Sequence, residues 1–104
     1  MITAAWLRSL HACESQVALF ERTFPDGAPL TAAAVQTART AKLDLAWLAR
    51  HPSAPADLLA VLAGDTDYYV RWAVAGNPSA AADLLAVLAG DSHWSVRWAV
   101  AARS

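Results

Sequence analysis

The chain has 104 residues, 57% of them hydrophobic and only 16% charged, with a net charge of −1. An average globular chain is roughly 25% charged, so the expectation is one compact domain of unusual composition, rich in Ala (26 residues) and Leu (13). Disordered, collagen-like and membrane-spanning classes are set aside: Gly and Pro number only nine together, and the apolar run 80–90 is interrupted by Asp83, far short of the roughly 18–20 residues a span requires.

The basic residues are seven Arg and one Lys, against nine acids. Residues 1–50 carry five bases and four acids, and residues 51–104 carry three bases and five acids. Neither half has the basic excess that dominates nucleic-acid affinity, which argues against a nucleic-acid partner. Met1–Trp6 has no basic stretch ahead of an apolar run, so no signal peptide is expected. A single cysteine, Cys13, excludes an internal disulfide framework and suits a reducing, cytoplasmic setting. The ordinary expectation for a lone Cys is a small buried apolar residue.

In chain order, helices are expected at 3–10, 14–24, 32–41 and 45–50. Pro25-Asp26-Gly27-Ala28-Pro29 forms a turn between the second and third, and Thr31 and Asp44 are expected as caps. Residues 1–50 are read as an N-terminal capping region. The remainder is one unit written twice: residues 51–76 and 77–102 are identical at 19 of 26 positions with no gap. Leu45–Ser53 is a partial earlier copy.

Each unit reads as two short helices. Pro52-Ser53 and Pro78-Ser79 open the first helix, with Ser53 and Ser79 expected as N-caps and Asp57 and Asp83 in the first turn, where negative charge suits the helix dipole. Leu58, Leu59, Val61 and Leu62 fall on one apolar face, repeated by Leu84, Leu85, Val87 and Leu88. Gly64 and Gly90 are expected as positive-φ stops. Asp65/Thr66 and Asp91/Ser92 are expected to cap the second helix, whose inward stripe is Val70, Ala73, Val74 and then Val96, Ala99, Val100. Such a unit cannot bury its apolar face alone, but stacked copies share a core, and small Ala side chains permit close approach.

The series Asn77-Pro78-Ser79, Leu84-Leu85-x-x-Leu88, Asp91, Val96-Arg97 and Ala99-Val100-Ala101 resembles the leucine-rich repeat variant family. So does Pro52-Ser53, Leu58-Leu59, Leu62, Asp65, Val70-Arg71 and Ala73-Val74-Ala75. The resemblance covers residues 51–104 and implies an all-α fold: a short right-handed α-solenoid of stacked helix pairs, one helix of a pair often 3₁₀, akin to HEAT repeats. Outside it, Ala12-Cys13-x-x-Gln16-x-x-x-Phe20 and Leu43-Asp44-x-x-Trp47-Leu48 are similar to a helical segment that precedes repeats in some bacterial proteins. Relatives of the repeat can carry an iron–sulfur cluster. Cluster ligation needs about four thiolates, so Cys13 alone implies that no cofactor is inherited.

No catalytic constellation is legible. His11, His51 and His93 are scattered, the glycines form no phosphate loop, and His11-x-Cys13 lacks partners for zinc. The chain therefore reads as a non-enzyme. His93 stands where the first unit has Asp67, and is expected at the surface.

The informative pattern is aromatic. Tyr68 and Trp72 share a helical face at i, i+4, and Trp94 and Trp98 occupy the same places one unit later. Stacking would align them as a ladder with Arg71 and Arg97 alongside, while Tyr69, opposite Ser95, breaks the pattern. One reading makes these rings ordinary core, with each Arg bonded to a helix end or an Asp. The other makes Tyr68, Arg71, Trp72, Trp94, Arg97 and Trp98 a protein-binding surface, since Trp, Tyr and Arg are enriched at binding hot spots. The resulting expectation is a protein–protein interaction module, such as a small bacterial or phage-type regulator acting by steric occlusion. The alternative is a HEAT-like nucleic-acid-binding or repair module. The open edge of the second unit also suggests a homodimer through the C-terminal repeat.

Overall fold

The computed structural model describes residues 1–103 and is all-α, with eight helices among them. They are α1 (Ala4–Ser9), α2 (Glu14–Thr23), α3 (Ala32–Thr40), α4 (Leu45–Arg50), α5 (Ala56–Leu62), α6 (Tyr68–Ala75), α7 (Ala82–Leu88) and α8 (Trp94–Ala102). No helix among the described residues is long and apolar enough to cross a membrane. The chain divides into two compact units, Met1–Asp44 and Leu45–Ser104.

In the first unit, Thr31 Oγ1 accepts from the Ala34 N–H and caps α3 as expected, while Thr3, expected as the first residue of α1, is its cap and accepts from the Trp6 N–H. Ile2, Leu7, Val17, Phe20, Ala28, Ala34 and Ala38 are buried. The Pro25–Pro29 turn returns the chain so that Ile2 and Ala28 form an antiparallel bridge, with both N–H···O distances 2.8 Å. Helices α1 and α3 each end in a Schellman motif. The Ala12 and Leu43 N–H groups reach back to Leu7 and Ala38, while His11 (φ 60°) and Lys42 (φ 67°) take the left-handed position. Glycine is the residue that adopts this conformation without strain.

In the second unit the expected positions of punctuation are corrected in several places. Neither Gly64 nor Gly90 has positive φ; among the described glycines only Gly27 does. Helices α5 and α7 instead end in tight turns, where the Gly64 and Gly90 N–H groups bond to Val61 and Val87. Ser53 and Ser79 are not caps, because α5 and α7 start after Pro55 and Ala81 with no side-chain cap. Helices α6 and α8 are capped not by Asp65/Thr66 and Asp91/Ser92 but by Asp67 Oδ1 on the Tyr69 N–H and by His93 Nδ1 on the Ser95 N–H. Capping needs an acceptor immediately before the first helical residue, and in those two helices that position is the residue after the Asp–Thr/Ser pair.

Helix α6 packs against both α4 and α8, and it also touches α5 and α7. Buried Ala49, Ala73, Ala75 and Ala99 lie along these helices, so the high alanine content corresponds to close helix approach. The Leu58, Leu59, Leu62, Val70 and Val74 side chains are buried with them. Asn77, fully buried, ties the start of the second repeat to the start of the first. Its Nδ2 donates to the Ala49 and His51 carbonyls at 2.6 and 2.8 Å, and its Oδ1 accepts from the Ser79 N–H. Every polar atom of its amide is thus used, as a buried polar group requires. Ser79 Oγ adds a bond to the Pro52 carbonyl at 2.7 Å.

Candidate functional site

Arg71 and Arg97 share one local design. Each guanidinium folds back over its own loop: Arg71 Nη1 donates to the Asp65 and Thr66 carbonyls, and Arg97 Nη1 to the Asp91 carbonyl. The reach of six residues places each fork at the start of its own helix, where the loop carbonyls converge. They differ in what the rest of the fork meets. Arg71 Nε and Nη2 hold both oxygens of Asp91 at 2.8 and 3.1 Å, and the two side chains are only 14% and 9% exposed. Arg97 is exposed, and among the described residues no carboxylate faces it.

Burial of Asp91 by itself pushes its carboxyl up, but the Arg71 hydrogen bonds, the His93 N–H and the Arg71 charge outweigh that. The carboxyl is held below the ordinary carboxylate range. This pairing is the physical role of an Asp that its sequence position assigned to capping.

The expected ladder of Tyr68, Trp72, Trp94 and Trp98 is rearranged. Tyr68 stacks flat on His93, with centroids 3.8 Å apart and planes 5° from parallel, and His93 in turn lies 5.9 Å from Trp94. Trp72 pairs with Tyr69, the residue that broke the sequence pattern, at 5.3 Å. The connected series of rings is therefore Trp72, Tyr69, Tyr68, His93 and Trp94, and Trp98 stands apart from it. His93 is half-buried rather than a surface residue, because it both caps α8 and fills the space over Tyr68. Its inclusion was not legible from i, i+4 spacing, which describes one helix and not the neighbour that packs on it.

The two repeats, 51–76 and 77–102, also differ in cover. Leu58 and Leu59 are buried while Leu84 and Leu85 are half-buried; Trp72 is half-buried while Trp98 is 62% exposed. Trp94 is 67% exposed against 43% for Tyr68, and Val87, expected to face inward, is 71% exposed. Val100 is likewise only half-buried. Helix α8 covers α6, and among the described residues no further helix covers α8. Of the six residues singled out from sequence, Trp94, Arg97 and Trp98 are on this open face, Tyr68 is at its margin, and Arg71 and Trp72 belong to the packed layer.

Cys13 is exposed at the start of α2, contrary to the expectation of a buried thiol. Its Sγ lies 3.1 Å from Ser15 Oγ. That contact, with the Ser15 and Gln16 N–H groups, lowers the thiol pKa against the smaller opposing effects of burial and Glu14. No group of three or more His, Cys, Asp or Glu side chains among the described residues is placed to hold a metal ion. No protein-family model, curated protein or solved structure matches the chain.

Proposed function

We propose that this chain is a non-enzymatic interaction module, a short right-handed α-solenoid of the leucine-rich repeat variant kind, that binds another protein through the α7/α8 face. The single observation that supports this reading most strongly is the exposure of Trp94 and Trp98 on the same helix as the exposed Arg97, with Val87 of α7 exposed as well. Tryptophan and arginine dominate binding energy where they become desolvated, with losses of about 2 kcal/mol or more on truncation at hot spots. A preformed face of this kind acts by occlusion or scaffolding, without chemistry on the partner. The nucleic-acid alternative has less support, since Arg71 is committed to Asp91 and to loop carbonyls.

The test is capture of bound protein from the host by the tagged chain, compared with a Trp94→Ala/Trp98→Ala variant whose helicity is verified by circular dichroism. Because neither indole is core, the variant folds. Capture is expected to be lost; capture at undiminished yield overturns the reading.

A further inference from the structure

The geometry points to a specific class of partner: a protein that adds a helical layer to the α7/α8 face, presenting a carboxylate to Arg97 and a flat ring to Trp94. This rests on the reading of that face as a protein-binding surface and names the chemistry that fits it. The argument comes from the internal repeat. Residues 77–102 reproduce residues 51–76 with an offset of 26, so each residue of the open face has a counterpart whose cover is visible.

The counterpart of Arg97 is Arg71. Both are anchored by Nη1 to carbonyls of their own loop, at 2.8 and 3.1 Å for Arg71 and 2.6 Å for Arg97, so the two forks are aimed alike. In Arg71 the other two nitrogens grip Asp91 of the following layer. In Arg97 the same two nitrogens donate to no acceptor among the described residues. An arginine fork is suited to bidentate binding of a carboxylate, and here its pose is fixed before any partner arrives. The counterpart of Trp94 is Tyr68, which carries the His93 ring of the following layer flat against it. The counterpart of Trp98 is Trp72, half-buried beneath that same layer.

The loop edge of the face is already closed. Arg103 stands 26 residues after Asn77 and donates to the Asn77 carbonyl, much as Asn77 donates to the His51 carbonyl. The helix face is therefore the part left open. A different protein suits the face better than a second copy, because the Asp91 of a second copy is already held by its own Arg71 and leaves Arg97 no free carboxylate in that register.

The experiment inserts a second copy of Asn77–Ala102 directly after Ala102 of the full chain, as a probe layer of known chemistry. Solvent exchange of the Trp94 and Trp98 indole N–H groups is expected to slow. A double-mutant cycle between Arg97→Ala and an Asn at the probe's equivalent of Asp91 is expected to show coupling of about tenfold in the unfolding equilibrium. Unchanged indole exchange, absence of coupling, or an extended chain that fails to fold overturns the inference. So does a concentration-dependent dimer of the unextended chain that Arg97→Glu abolishes, since the occupant is then a second copy. Should Trp94→Ala/Trp98→Ala abolish capture while Arg97 shows no coupling, the face binds protein through apolar contact alone and only this inference falls. Should capture ignore the tryptophans, the reading of the face itself falls.

Discussion

Arg71 holds Asp91 from twenty residues away through two parallel hydrogen bonds of 2.8 and 3.1 Å, and in the same stroke ties down the carbonyls of Asp65 and Thr66. One side chain thus closes its own loop and clamps the next. Arg71→Ala leaves Asp91 largely buried without its cation, a change that costs about 3 kcal/mol where such pairs are broken. Urea unfolding should show a loss of that order, whereas Arg97→Ala, at an exposed site, should cost well under half as much.

The same pair sets an acid dependence. The folded carboxyl of Asp91 lies below its ordinary value. Its contribution is therefore complete above the unfolded-state pKa of about 3.9 and is lost as pH falls through the lower folded value. Urea midpoints followed downward from about pH 6 should decline in the wild type, and Asp91→Asn should remove that part of the slope while lowering stability at neutral pH.

His93 does two things that one substitution can separate. It accepts the Ser95 N–H at Nδ1, and its ring lies on Tyr68. His93→Asp restores the residue of the first unit, which caps equally well but carries no ring. The expected cost is the stack alone, about 1 kcal/mol. His93→Ala loses the cap as well, for a total of about 2 kcal/mol. Equal losses in thermal unfolding for the two variants would show that the cap contributes nothing.

Outside Gly27, left-handed backbone and glycine are mismatched at four positions of this chain. His11 and Lys42 occupy positive φ, whereas Gly64 and Gly90 occupy ordinary helix-end conformations. His11→Gly and Lys42→Gly should each stabilise by about 1 kcal/mol by relieving the left-handed strain. At Gly64 and Gly90 an added Cβ meets only a carbonyl oxygen at 3.7 Å, an ordinary contact. Alanine there should raise stability by about 0.5 kcal/mol through the unfolded state. Calorimetric midpoints of the four variants should all rise.

Cys13 should react as an accessible thiol of lowered pKa. The rate of iodoacetamide alkylation should reach half its plateau at a pH below that of a free cysteine, and Ser15→Ala should shift that midpoint upward by removing the leading hydrogen bond. A midpoint that does not move would assign the effect to the backbone N–H groups.

Much of the fold was legible because it rests on local rules. Thr31 caps where a hydroxyl precedes an apolar-periodic run, and α4 begins and ends at the residues the pattern marks. Local rules fail where a side chain's partner comes from another layer. Asp91 has the spacing of a cap, but Arg71 lies within reach once α8 packs on α6, and a charged bidentate pair is stronger than a single capping bond. Tyr69 looked like an interruption, yet it meets Trp72 three residues on, while Tyr68 turns to His93.

The candidate face divides along the same line. Sequence alone determined that two near-identical units follow one another, that their helices are short and alanine-rich, and that Trp, Tyr and Arg recur at fixed places, because identity and periodicity are properties of a single strand of letters. Only the tertiary structure decided which of the recurring residues are covered. Arg71 and Arg97 are the same residue in the same local pose, and so are Trp72 and Trp98 by position. One of each pair is packed beneath a following layer and the other is open, and that difference arises from what lies across the helix face, not from the residues themselves.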